Sequence, residues 1–278
     1  MRDPTSNRRR HFADSVHHRR IAVAALALPL LVAFIAGAAA QSKAPVELLD
    51  GPRAVAKVQT QEPAAGPLEL SRDQALWTAI AFEDADQVRQ LLKSGADPNK
   101  PEDLSQMTPL MAAETFPVAS ILIQKGAEPR ARDRTGRTPL HYAVLMRDAP
   151  AIIPLLVRAG ADVNARAEDA GSSTPLIFAV EKYITDKDRD KAINASVIRA
   201  LVLLGADINA ADARGATGLA MAASQNKPEL IRLLIELGAD PAKRLGNGRT
   251  PLDYAREANA QDAIQVLAAM AAKARPAN

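Results

Sequence analysis

Thr138-Pro139-Leu140-His141-Tyr142-Ala143, with the Gly160-Ala161-Asp162 that closes the same stretch, decides how the whole chain is read. The opening returns at Thr108-Pro109-Leu110, Thr174-Pro175-Leu176, Thr217-Gly218-Leu219 and Thr250-Pro251-Leu252. The close returns at Gly95-Ala96-Asp97, Gly126-Ala127-Glu128, Gly205-Ala206-Asp207 and Gly238-Ala239-Asp240. Successive Thr openings lie 30, 36, 43 and 33 residues apart. Each copy carries the marks of a helix pair. Thr is a good N-cap, and Pro in the first helical position gives up no useful N–H. Leu and small Ala residues let two helices approach, and Gly after an apolar stripe such as Leu230, Ile231, Leu233 and Leu234 supplies the C-terminal stop. Self-similarity at such a period predicts stacked units sharing one core.

The Thr-Pro-Leu-His opening at a period near 33 resembles the ankyrin repeat. The resemblance implies an all-α solenoid of about six helix–turn–helix units joined by short β-hairpin loops. Asp133-Arg134-Thr135-Gly136 and Asp212-Ala213-Arg214-Gly215 match the family's hairpin turn. The units are expected at about 71–103, 104–133, 134–169, 170–212, 213–245 and 246–275, with 276–278 as a tail. The first lacks Thr-Pro-Leu. It opens instead on Ser71-Arg72-Asp73-Gln74, an N-cap with Gln in the capping-box position, and reads as the N-terminal cap of the array. Leu76, Ala79 and Ile80 fall on one face of its first helix, and Val88, Leu91 and Leu92 on its second. The last unit never reaches a Gly-Ala-Asp and reads as the C-cap.

Three departures break the pattern. The unit at 108–128 is short between its helices, and Gln106 stands where the hairpin glycine is expected. Ala167 to Ser173 lengthens the next hairpin. The step of 43 places an insertion around Tyr183 to Lys191, expected as a charged loop between helices. Asp186, Asp188 and Asp190 in it have part of a calcium-loop spacing. Lys191 and Val197 occupy the places of the required Gly and Glu, so the stretch reads as a solvated loop.

Residues ahead of the array have a different composition. Six Arg and two Asp lie in residues 1–40; the rest of the chain holds 29 basic and 30 acidic side chains. The sequence pI of about 9.2 is therefore a property of the leader, and bulk charge gives no reason to expect nucleic acid as a partner. Arg-rich residues 1–20, an uncharged apolar run Ile21–Ala40 and the Ala38-Ala39-Ala40 before Gln41 predict a signal peptide cleaved between Ala40 and Gln41. The rival reading is an uncleaved anchor, since about 20 apolar residues span a bilayer. Periplasmic export is thus expected, with an inner-membrane tether as the alternative. Residues 41–70, with Pro45, Pro52, Pro63 and Pro67, read as a flexible linker.

The residues that could carry chemistry are few. Cysteine is absent, and His141 is the one histidine outside the leader. A zinc cage or Cys–His dyad is therefore excluded, no cofactor is called for, and no enzyme is predicted. The resemblance gives His141 a structural role and assigns partner binding to the hairpin tips and the concave inner-helix face. The expected contact residues are Arg134, Arg137, Leu145, Met146, Lys182, Arg214, Gln225 and Arg249. Leu145 and Met146 are apolar where water is expected, with burial under the neighbouring unit as the competing explanation. Tyr142, Phe178, Met221 and Tyr254 share one inner-helix position and read as stacked core. The expectation is a monomeric, non-catalytic adaptor for a protein partner, with a membrane-tethered scaffold as its alternative and an enzyme as a remote one.

Overall fold

The computed structural model describes residues 70–168, 171–186 and 191–274. The leader, the cleavage site Ala40–Gln41, nearly all of the linker, the tail, Asp188 and Asp190 lie outside the described residues. Among the described residues no helix is long and apolar enough to cross a membrane.

Twelve α-helices occur among them, two per unit. Unit 1 holds α1 (Arg72–Ala81) and α2 (Ala85–Lys93), and unit 2 holds α3 (Pro109–Ala112) and α4 (Phe116–Gln124). Unit 3 holds α5 (Pro139–Ala143) and α6 (Ala149–Arg158); unit 4 holds α7 (Pro175–Thr185) and α8 (Lys191–Leu203). Unit 5 holds α9 (Gly218–Ser224) and α10 (Pro228–Glu236), and unit 6 holds α11 (Pro251–Glu257) and α12 (Gln261–Ala274). Inner helices α1, α3, α5, α7, α9 and α11 pack in sequence, and most outer helices pack behind them in the same order. Among the described residues there is no sheet, only the isolated antiparallel bridge Ala211–Thr217.

Local chemistry explains why each unit starts and stops where it does. Ser71 and Gln74 form the capping box read from sequence, with Ser71 N–H donating to Gln74 Oε1 at 2.9 Å. Leu76, Leu110, Leu140, Leu176 and Leu219 are buried core side chains of their inner helices, while Leu252 in the last unit is half-buried against the same core. Residues two before each Thr are all left-handed: Gln106 (φ 59°), Gly136 (72°), Ser172 (40°), Gly215 (77°) and Gly248 (76°). Gln106 thus adopts the hairpin geometry that the glycines adopt elsewhere. Gly136 has a second reason to be glycine: a Cβ there would lie 2.7 Å from the Glu168 backbone nitrogen.

Two expectations are corrected. The expected loop is helical at both its ends: α7 runs to Thr185 and α8 starts at Lys191, giving helices of 11 and 13 residues where unit 5 has 7 and 9. Tyr183 is buried and Ile184 packs on the core, Asp186 follows the last residue of α7, and residues 187–190 lie outside the described residues. Met146 is also not a contact residue. It is 3 % exposed within the core, because the extra residue in this unit turns it inward before α6 begins. Its neighbour Leu145 is half-buried and packs against the same core.

Candidate functional site

The hairpin tips are tied into one ribbon by backbone bonds between successive units. Arg134 N–H donates to Ser105 O (3.0 Å), Glu168 N–H to Thr135 O (2.8 Å) and Ala213 N–H to Gly171 O (2.9 Å). Three of the turns are also pinned by a side chain at their base. Asp133 Oδ1 accepts from the Thr135 and Arg137 amides and the Thr135 hydroxyl. Asp212 Oδ1 accepts from the Arg214 and Ala216 amides. In unit 2 the longer Glu102 does the same for Leu104 and Ser105, adding the Ser105 hydroxyl. Burial alone would raise the Glu102 pKa. The Ser105 hydroxyl and the Ser105 and Leu104 amides outweigh it and, with the Arg134 charge, hold the carboxyl below its ordinary value.

Arg134 is exposed at the tip of unit 3, and no side-chain hydrogen bond or ion pair ties it down among the described residues. Arg137 is half-buried, its guanidinium carbon 4.9 Å from the centroid of the Phe178 ring, a cation–π geometry. Lys182 donates to Val144 O at 3.2 Å, capping the carbonyl end of α5. Arg214 lies 3.6 Å from Asp212, whose carboxylate is buried and already bonded to backbone amides. Gln225 is exposed at the end of α9. Arg249 pairs with Glu257 at 2.9 Å and so neutralises its charge inside unit 6. Arg134, Arg137, Lys182, Arg214 and Gln225 thus stand on tips and inner helices of units 3 to 5, Leu145 is half-buried in unit 3, and Arg249 belongs to unit 6.

His141 is structural, as the sequence implied. It is 1 % exposed; its Nδ1 faces both the Thr138 amide (3.1 Å) and the Thr138 hydroxyl (2.9 Å). An Nδ1 that accepts from the amide leaves the ring proton on Nε2, which donates to Ser173 O of the next unit at 3.0 Å. Of the shared aromatic position, Tyr142 and Phe178 are buried, while Met221 and Tyr254 are half-buried. The Tyr142 hydroxyl donates to Asp133 Oδ2, tying the inner helix to its own hairpin. Among the described residues no group of three acidic or histidine side chains could hold a metal.

Sequence reasoning missed two kinds of residue. One is the Asn found four places after three of the five closing Gly residues: Asn99, Asn164 and Asn209. Asn99 donates to Gly126 O and accepts from Glu128 N–H; Asn164 does the same with Gly205 O and Asp207 N–H. Asn209 accepts from Asp240 N–H. The recurring offset was readable; the partners, a full unit away, were not. The other is Leu104, 79 % exposed at the tip of the unit 2 hairpin, beside Arg134. The extra residue in that turn was its only signal.

The family described as Ankyrin repeats (3 copies) matches residues 76–167 and 191–276, close to two thirds of the chain. The chain is 33 % identical over 147 residues to Ankyrin repeat and SOCS box protein 6 of Homo sapiens, covering 48 % of the chain and 35 % of that protein. It is 39 % identical over 101 residues to the Neurogenic locus Notch protein of Drosophila melanogaster, covering 35 % of the chain and 4 % of that protein. The chain therefore spans about a third or less of these two relatives. Among solved structures, it is similar to one of a predatory endopeptidase from Bdellovibrio bacteriovorus in complex with an immunity protein. The TM-score is 0.56 at 29 % identity, over 70 % of this chain and 97 % of that chain. It is also similar to the ankyrin repeat domain of Bcl-3, a member of the IkappaB protein family. That match has a TM-score of 0.59 at 27 % identity, over 70 % of this chain and 85 % of that chain. Repeats of this kind are protein–protein interaction modules, and their fold is typically non-catalytic.

Proposed function

Since the chain belongs to the ankyrin-repeat family, we propose that it is a non-catalytic, exported adaptor whose hairpin tips and concave inner-helix face bind an acidic or mixed surface of a protein partner. The observation that carries this reading is the ribbon of tips. Backbone bonds between units 2 to 5 hold Arg134 and Arg214 outward on pinned turns, with Arg137 and Lys182 set behind them on Phe178 and Val144 O. Turns fixed in advance need no backbone ordering on binding, and arginine is enriched at interface hot spots. Leu145 and Gln225 complete the face, and Arg249 edges it. Among the similar structures, one of an endopeptidase in complex with an immunity protein gives the same kind of use, one protein binding another. Charge reversal at Arg134, Arg137 and Arg214 is expected to abolish most pull-down of the partner captured by the wild-type protein from periplasmic extract. Undiminished capture by the triple variant rejects this face.

Export rests on the leader: an Arg-rich start, the uncharged run Ile21–Ala40 and the small residues before Gln41. That run is also long enough to span a bilayer, so a tethered scaffold with its repeats in the periplasm is the second reading. Intact mass of the protein from its native host separates the two. A chain starting at Gln41 supports secretion; one retaining residues 21–40 supports the tether.

A further inference from the structure

Two aromatic side chains stand in water on the edge of the stack formed by the turns between helices, across from the hairpin tips. Phe82 is 71 % exposed in the turn between α1 and α2, and Phe116 is 37 % exposed at the start of α4. Among the described residues no other aromatic side chain is exposed.

The turn that carries Phe82 recurs in units 5 and 6. In all three its last residue donates to an inner-helix carbonyl: Asp84 to Ala79 O, Lys227 to Ala222 O and Ala260 to Ala255 O. The middle residue is left-handed in each, Glu83 (φ 58°), Asn226 (50°) and Asn259 (53°). Asparagine tolerates that backbone well, whereas glutamate gains nothing from it. The first place is exposed in all three. It holds Gln225 in unit 5 and Ala258 in unit 6, and unit 1 puts a phenylalanine there.

What glutamate does in that place is electrostatic. The turn of unit 2, residues 113–115, follows an inner helix of only four residues. Arg147 of unit 3 reaches past it and pairs with Glu83 of unit 1 through two contacts, at 2.9 and 3.0 Å. Next to Arg147, Asp148 donates its N–H to Glu114 O at 3.3 Å and accepts the Phe116 N–H at 2.9 Å. These links gather Phe82 and Phe116 about one ion pair. Glu83 cancels the charge of Arg147, and Asp86 does the same for Arg89. Asp84, Glu114 and Asp148 have no cationic partner among the described residues, so the ground around the two rings is negative.

We propose that this edge is a second docking surface, and that it takes a basic segment of a partner protein in which an arginine or lysine stands next to an apolar side chain. The ring faces attract a cation, the apolar side chain removes the rings from water, and the carboxylates of Asp84 and Glu114 receive the charge. Glu83 holds the strained place because it neutralises the one arginine that would repel such a segment. The hairpin tips, with Arg134 and Arg214, have the opposite sign and lie at the other end of the inner helices. Each surface thus rejects the segment that suits the other, and both can be filled at once. The proposal does not rest on the hairpin face.

A phage-displayed library of random dodecapeptides, selected on the full chain and counter-selected on Phe82→Ser/Phe116→Ser, tests this. Surviving peptides are expected to carry Arg or Lys next to an apolar residue. By fluorescence anisotropy, a synthetic survivor is expected to bind wild type roughly tenfold or more tightly than the double variant or Glu114→Lys. Glu114→Lys changes only an exposed side chain, so its loss of binding is not a loss of fold. Charge reversal at Arg134, Arg137 and Arg214 is expected to leave this binding intact, which separates the proposal from the reading of the hairpin face. No survivors, survivors without an excess of basic residues, or equal affinity for wild type and Glu114→Lys would overturn it.

Discussion

Units 3 and 4 meet through a buried histidine and a two-way asparagine besides the backbone bond between their hairpins, while units 2 and 3 share that kind of backbone bond but have a one-way arginine in the asparagine's place, although both joints come from nearly the same phrases of sequence. His141, Asn164 and Gly136 act across the first joint; Met111, Arg130 and Gln106 hold the corresponding places at the second. None of those replacements changes the helix pattern, and all of them change what one unit can offer the next. The fold of such an array is therefore set by features repeated within units, and its local stability by single residues at fixed offsets.

The largest effect is expected from Gly136→Ala. The new Cβ meets the Glu168 backbone at 2.7 Å and sits at φ 72°, so a loss of about 3 kcal/mol is expected by urea denaturation. His141→Ala comes next. It leaves the buried Thr138 donors and the Ser173 carbonyl unpaired, at a cost of roughly 2 kcal/mol. A His141 variant as stable as wild type would remove the main distinction between the two joints. Asn164→Ala is expected to cost about 1 kcal/mol and Arg130→Ala about half that, because one rung carries two bonds and the other carries one. Equal costs would break the comparison.

Gln106→Gly should act in the opposite sense. It relieves a side chain held at φ 59°, and after the added backbone freedom of the unfolded chain about 0.5 kcal/mol of stabilisation remains. The smallest effect is one of pH. The Glu102 carboxyl is held below its ordinary value of 4.5 in the folded state. Its contribution is present above that pH and is lost as pH falls through the depressed folded value. The denaturation midpoint of wild type should therefore fall more steeply below pH 4.5 than that of Glu102→Gln, and the two curves should run parallel above it.

Much of the fold was legible because its signals are local. Thr caps, Pro at the first helical position, and a closing Gly each act within one turn of chain, so the helix pairs could be read without any partner. The candidate face was legible only in part. Arg134 and Arg214 lie at turn apices, where a tip residue must face out. Met146 was read as a contact residue from its place after the inner-helix Ala, with burial as the competing explanation, and no local signal says which way it turns. The insertion was read as a loop because its charges resemble one, whereas Tyr183 to Thr185 continue α7 and Lys191 already belongs to α8.

By itself, the sequence determined the all-α repeat, the helix boundaries set by caps and glycines, and the inward facing of Leu110, Leu140 and Leu176 after Thr-Pro, since all of these follow from interactions within a few residues. The tertiary structure decided which side chains close a joint. Asn99 meets a partner 27 residues away and Asn164 one 43 residues away, and such contacts exist only after the units have stacked. It also decided that Arg134 stands outward next to Leu104 while Arg249 turns to Glu257, because the direction of a long side chain is set by what lies beside it in the folded stack.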